Sequence, residues 1–212
     1  MPHANAIHRP VPGMVSRLFG KRAKRGGQGD TSQQRLRKIA GSSAADMAAE
    51  MLSAPSALLQ LNHEEARTIV AYMQPHKIPE GTTFIREGDT DHTDFMLMVL
   101  DGEVTIETIV VSRTAPITVT VLGPGSLVGE MGLLDGAPRS ASCTAISNLR
   151  CAILTRDALS QLLDEEPRTA AKLMMAISLR IAQRMRENQD KLKLYAQLTQ
   201  AMNEEIHALM PL

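Results

Sequence analysis

Ser126-Leu127-Val128-Gly129-Glu130-Met131-Gly132-Leu133-Leu134-Asp135-Gly136-Ala137-Pro138-Arg139-Ser140-Ala141 changes character three times along its length. An apolar strand runs into Gly129, Glu130 to Leu134 offers a short apolar turn of helix, and Asp135-Gly136 ends it. Pro138 then stiffens the approach to Arg139 before the next strand. Glu130 and Arg139 therefore stand at opposite ends of one compact loop.

On both sides of this loop, from His76 to Thr155, short β-branched runs alternate with turn residues. The runs are HKIP, TTFIRE, FMLMVL, EVTIETIVV, PITVTVL, SLVG, SASCTAI and LRCAIL, with corners at Gly81, Gly88-Asp89, Asp101-Gly102 and Gly123-Pro124-Gly125. Even spacing of short strands predicts an eight-stranded antiparallel jelly-roll β-barrel over 76–155, a mostly β fold with α elements at its flanks. Residues 46–75 read as N-terminal helices. DMAAEMLSA ends before Pro55, and a capping box at Asn62 and Glu65 opens a second helix that runs to about Met73. Residues 156–212 read as C-terminal helices. RDALSQLLDEE is one, and Pro167 then suits the first position of a long helix over 167–209.

That helix carries a heptad seam at Met185, Asn188, Leu192, Tyr195, Thr199, Met202, Ile206 and Leu209. Such a seam needs a partner, and a parallel homodimer through 167–209 is expected over a helix folded back on its own domain. Residues 1–45 hold nine cations and one anion. With their prolines and glycines they read as a largely disordered basic tail on an acidic body. The amphipathic fragment 14–22 offers a membrane-surface or docking contact, but a solvated tail is the plainer reading.

Composition narrows the function. Lys and Arg (23) balance Asp and Glu (23), so no overall basic field exists to hold nucleic acid. At 2% aromatic content the chain lacks the rings of a single-strand stacking platform. Cys143 and Cys151 make neither a disulfide framework nor a metal motif and read as reduced thiols in strands. No long apolar run or signal segment is present, which suggests a cytoplasmic protein. P-loop, kinase and cyclase motifs are absent, and no H-x-H pair supports a metal-dependent cupin enzyme on a similar roll. A non-enzymatic protein without a metal or cofactor is expected.

A Glu–Arg pair at this spacing is commonly a surface ion pair. Two details point elsewhere. The first backbone N–H groups of the short helix, with Gly129, attract an anion, and Arg139 offers a planar fork for two phosphate oxygens. A carboxylate repels phosphate but accepts a sugar hydroxyl. Together these groups specify one phosphate with a free hydroxyl close by, the shape of a ribose 3′,5′-cyclic monophosphate.

GEMGLLDGAPRSA resembles the phosphate-binding cassette of the cyclic nucleotide-binding domain family. That family includes catabolite-activator-type regulators, kinase regulatory subunits and cyclic-nucleotide-gated channels. Only Val128, where the family pattern has an aromatic or bulky apolar residue, departs from it. Gly81-x-x-x-Ile85-x-x-x-Gly88-Asp89 and Met96-x-x-Val99-x-x-Gly102-x-Val104 resemble the family's first turns, and the likeness spans about residues 46–205. The resemblance implies that Arg139 binds the equatorial phosphate oxygen and Glu130 the ribose 2′-OH. Gly129 and the amides of Gly132 and Leu133 would lie near them, with Met131 and Ala141 in the cassette and Ser140 as a further donor. It places Arg184 and Met185 where the transcription-factor branch contacts adenine through two small hydroxyl residues, a departure that leaves Arg184, Gln183, Asn188 or Arg180 as the candidate base contact. The ligand expected is cAMP ahead of cGMP. The output is expected through an effector protein, because no second recognition helix follows to read a promoter. A ligand-free scaffold of the same fold is the alternative.

Overall fold

The computed structural model describes residues 30–54, 61–108 and 117–209. Among the described residues, eight antiparallel strands form two four-stranded sheets. The first sheet orders β1 (Gln74–Ile78), β8 (Leu149–Thr155), β3 (Phe95–Asp101) and β6 (Leu127–Val128). The second orders β2 (Thr83–Ile85), β7 (Ser142–Ala145), β4 (Val104–Thr108) and β5 (Ile117–Leu122). This is the mostly β, jelly-roll-like arrangement that strand spacing predicts.

The unbroken apolar run FMLMVL of β3 reflects burial on both faces. Successive side chains of a strand point to opposite sides. Phe95, Leu97 and Val99 join a core between the sheets, while Met96, Met98 and Leu100 join a second core under the helices. Leu149, Cys151 and Ile153 of β8 face the first core, and Ala152 and Leu154 face the second. Cys143 and Cys151 are free and buried as expected, and burial pushes both thiols up to about 12. Pro75 lies inside β1 rather than before the strands. It is tolerated there because β1 is the edge of its sheet.

The second core is closed by helices. α2 (Ser43–Ser53) starts three residues earlier than expected because Ser42 supplies its cap, accepting from the Ala45 amide. α3 (His63–Ala71) carries the predicted capping box of Asn62 and Glu65. α5 (Arg156–Glu165) leads through Glu166 into α6 (Pro167–Leu209). Only the start of α6 packs on the domain. Ala170, Leu173, Ala176 and Ile177 are buried, whereas Met185, Leu192, Tyr195, Met202 and Ile206 of the predicted seam are exposed.

Within the stretch 1–45, expected to be largely disordered, the structure places a helix, α1 (Ser32–Lys38). Thr31 and Gln34 cap it reciprocally. The helix buries no residue and is held by long side chains. The Arg35 guanidinium lies 4.7 Å over the Tyr72 ring and donates to Gln161 Oε1. The fragment 14–22 lies outside the described residues.

Tyr72 donates to Glu165 Oε2 at 2.9 Å, and burial followed by this hydrogen bond raises its pKa from 10.0 to about 12. The folded state thus favours the protonated phenol. This contribution to stability is complete below pH 10 and is lost as pH rises toward 12. Thermal melts from pH 9 to 12 are expected to show a steeper decline for the native protein than for Tyr72→Phe. Parallel curves would remove Tyr72 from the linkage.

Candidate functional site

β6 ends against β3, with Leu97 opposite Val128 and Met98 opposite Leu127. Gly129 then turns the chain in the left-handed region (φ 82°) and caps α4 (Glu130–Asp135). A side chain at Gly129 would be strained at this φ, and its Cβ would stand 2.8 Å from Arg139 Nη1. Gly136, also left-handed, closes α4 by donating to the Gly132 carbonyl at 3.0 Å. Arg139 is fixed through its backbone by the β2–β3 loop, where its amide donates to Asp89 O and its carbonyl accepts from Gly88.

These elements wall a cleft of about 450 Å³. Its floor includes Ile85, Val128 and Cys143, and α6 closes one side with Ile181, Arg184 and Met185. Gly129, Glu130, Met131, Gly132, Arg139, Ser140, Ala141 and Arg184 all line it, so the structure assembles eight predicted residues around one cavity. Leu133 is the exception. Its side chain joins the core under the helices, and its amide is turned inward to the Gly129 carbonyl at 3.3 Å. In a helix the N–H of residue five closes on the carbonyl of residue one, which removes it as a ligand donor.

Glu130 and Arg139 are 3% and 5% exposed, the most buried charges among the described residues. Arg139 does not present an open fork. Its Nε and Nη2 donate to the His92 carbonyl at 3.1 and 2.8 Å, Nη2 also to Phe95 O at 2.9 Å, and Nη1 to Gly129 O at 2.8 Å. Its guanidinium carbon lies 4.4 Å over the Phe95 ring. A guanidinium has five N–H donors, so one hydrogen, on Nη1, remains beyond these four bonds. The expectation of two free parallel donors gives way to a cation whose burial is compensated by carbonyls. Burial lowers its pKa, while Asp94, Asp89 and Glu130 act in the opposite direction.

Glu130 Oε1 accepts from Arg184 Nη1 at 2.5 Å, and Arg184 Nη2 donates to Leu127 O at 2.9 Å. Arg184 is therefore tied to the cassette rather than free for a base, and it joins α6 to both β6 and α4. Arg180, one turn earlier, has a buried Nε without a hydrogen-bond partner among the described residues. Burial and the neighbouring Arg184 lower its pKa, and Glu130 opposes this. Sequence reading misses Arg156 altogether. It opens α5, where a cation opposes the helix dipole, and that local conflict is the signal that could have marked it.

Histidines, cysteines and carboxylates form no cluster able to hold a metal ion among the described residues. No helix among them is long and apolar enough to cross a membrane.

The cyclic nucleotide-binding domain profile matches residues 75–166, the roll together with α5. A solved cyclic nucleotide-binding domain from Methylobacillus flagellatus is 31% identical, superposes with a TM-score of 0.63, and is matched over 71% of this chain and 85% of its own. The chain belongs to the cyclic nucleotide-binding domain family. This cyclic nucleotide-binding domain is also 30% identical over 149 residues to a cyclic AMP receptor protein of Thermus thermophilus, covering 70% of this chain and 65% of the relative. It is 29% identical over 113 residues to a CRP-like cAMP-activated global transcriptional regulator of Mycobacterium tuberculosis, covering 51% of this chain and 47% of the relative. The chain thus spans 47% to 65% of the length of these curated relatives.

Proposed function

We propose that the chain is a cyclic nucleotide sensor, selective for cAMP over cGMP, that signals through α6 to a second copy of itself and to an effector protein. One observation carries the reading: a buried arginine and a buried glutamate face one cavity from the two ends of a single tight loop. The two bacterial relatives, a cAMP-activated regulator and a cyclic AMP receptor by name, support cAMP as the ligand.

The cyclic phosphate sits against Arg139, drawn by its remaining Nη1 hydrogen, its net charge and the amides at the start of α4. The second oxygen of Glu130 accepts the ribose 2′-OH while Oε1 holds Arg184, and Ser140 adds a hydroxyl at the cleft. The base lies toward Ile181 and Met185. Ligand shifts the population of α6 positions by its differential affinity for them. The exposed seam from Met185 to Ile206 supports a helix pair as the dimer contact.

Calorimetric titration with cAMP, cGMP and a cyclic dinucleotide side by side, with light scattering on the same samples, tests this. Charge-assisted contacts plus base burial are expected to give about 8 kcal/mol, a micromolar Kd, for cAMP. Weaker binding of the other two and a dimer mass complete the expected result. No heat and no thermal shift at millimolar cAMP would leave the ligand-free scaffold as the better reading.

A further inference from the structure

Beyond Arg184, α6 carries a row of exposed apolar side chains. Written as heptads, the seam has Met185, Leu192, Thr199 and Ile206 at position a, with Asn188, Tyr195 and Met202 at d. The two edges of the seam differ in kind. Position g, beside d, holds Lys191, Leu198 and Glu205, whereas position e, beside a, holds the uncharged Gln189, Ala196 and Asn203. Leu198 is 51% exposed, and Lys191 and Glu205 form no ion pair among the described residues.

These edges discriminate between the two senses in which a second copy can lie on the seam. In a parallel pair, g faces e of the other helix. Leu198 would then meet the partner's Asn203 and Lys191 the partner's Ala196, so the leucine stays wet and both charges stay unpaired. Reversing one helix brings g against g instead. With the pair centred near Gln197, Leu192 packs on the partner's Met202 and Tyr195 on the partner's Thr199. Leu198 then lies beside the partner's Leu198. Lys191 lies beside the partner's Glu205, and two-fold symmetry makes that contact twice.

We propose that a second copy engages α6 in the antiparallel sense, through a face made of positions a, d and g. This rests on the reading of α6 as the contact with a second copy, and it reverses the parallel pairing expected from the seam alone. The two Arg184 anchors then stand about 40 Å apart, which leaves the domains at opposite ends of the helix pair. Asn188 and Lys191 line the nucleotide cleft. The distal end of each α6 therefore arrives at the mouth of the other copy's cleft, beside these two residues.

Disulfide trapping on the full chain reads the sense directly. Leu192 and Met202 are exposed and the native Cys143 and Cys151 are buried, so cysteines introduced at 192 and 202 leave the core untouched and react selectively. When Leu192→Cys protein is mixed with Met202→Cys protein and oxidised, dimers joining the two variants are expected, because the positions meet within disulfide range. Leu192→Cys alone is expected to cross-link poorly, since its two copies are offset by about 15 Å along the helix axis. Self-linking of Leu192→Cys without any mixed product overturns the antiparallel sense and keeps the dimer. Charge reversal gives a second readout. Lys191→Glu and Glu205→Lys are each expected to weaken dimerisation by about 5- to 20-fold in light scattering, and the double variant to recover it. Losses that merely add in the double variant overturn the pairing of these two residues. A monomer mass with no cross-link in any mixture overturns the second copy altogether and leaves this face to the effector protein. Trapping needs no nucleotide, so its failure leaves the cAMP reading standing, and a failure to bind cAMP leaves the antiparallel pair standing.

Discussion

Arg139→Ala loses cyclic nucleotide binding at micromolar ligand and melts at lower temperature than the native protein. The two effects have separate origins. A ligand phosphate desolvated in the cleft without its cation is disfavoured by about 2–5 kcal/mol, some 30-fold to several thousand-fold in Kd. The stability loss comes from the carbonyls of His92, Phe95 and Gly129, which Arg139 gathers from two segments of chain. An orphaned buried acceptor costs about 1–3 kcal/mol, and water entering the vacated space offsets part of that. A net loss of about 2–4 kcal/mol is expected, or roughly 4–16 °C in Tm for a chain of this size. Scanning calorimetry and titration on the same preparation separate the two terms. Native-like affinity in this variant would remove Arg139 from the binding mechanism, and a native-like Tm would mean the carbonyl contacts contribute little.

Gly129→Ala is expected to weaken cAMP binding by about 2–3 kcal/mol although glycine has no side chain to contribute. The left-handed backbone at φ 82° costs any other residue about 1–2 kcal/mol. The new methyl would also stand 2.8 Å from Arg139 Nη1, 3.1 Å from Ile85 Cδ1 and 3.2 Å from the Phe95 carbonyl. Three carbonyls hold Arg139, so it can give way only by loosening those bonds. The guanidinium is thus pushed from its place while Glu130, the next residue, is reoriented. Gly41→Ala separates strain from contact. Its φ is 77°, but no atom lies within 4 Å of the added carbon and it is remote from the cleft, so it should cost stability and leave affinity close to native. Equal affinities for the two alanine variants would show that the approach to Arg139 is unimportant.

Much of this site was legible in the sequence because local rules and chemistry coincide there. Gly129 and Gly136 are needed for left-handed turns, Asp135-Gly136 stops a helix, and the charges lie within ten residues of one another. β3 was legible for a similar reason, since six successive apolar residues demand two buried faces. α1 was not, because its seven residues bury nothing and depend on Tyr72 and Gln161, the latter 126 positions away. The carbonyl partners of Arg139 were hidden likewise, as His92 and Phe95 approach only once the β2–β3 loop folds over the cassette. Arg184 was found by counting along the helix, but counting places a residue near a cavity without saying which atom it grips. Its attachment to Glu130 depends on how α6 crosses β6, which no local pattern encodes.

The anchorage of α6 has a mechanical consequence. Its last side chain tied to the domain is Arg184, and 25 residues follow to Leu209, about 38 Å of rod beyond the anchor at 1.5 Å per residue. A tilt of about 5° at the pivot sweeps the tip through about 3 Å, more than half the rise of one helical turn. A sub-ångström adjustment around the cleft would therefore reach the distal end of the helix amplified several-fold, enough to slide its stripe of apolar side chains out of register with that of the second copy proposed above.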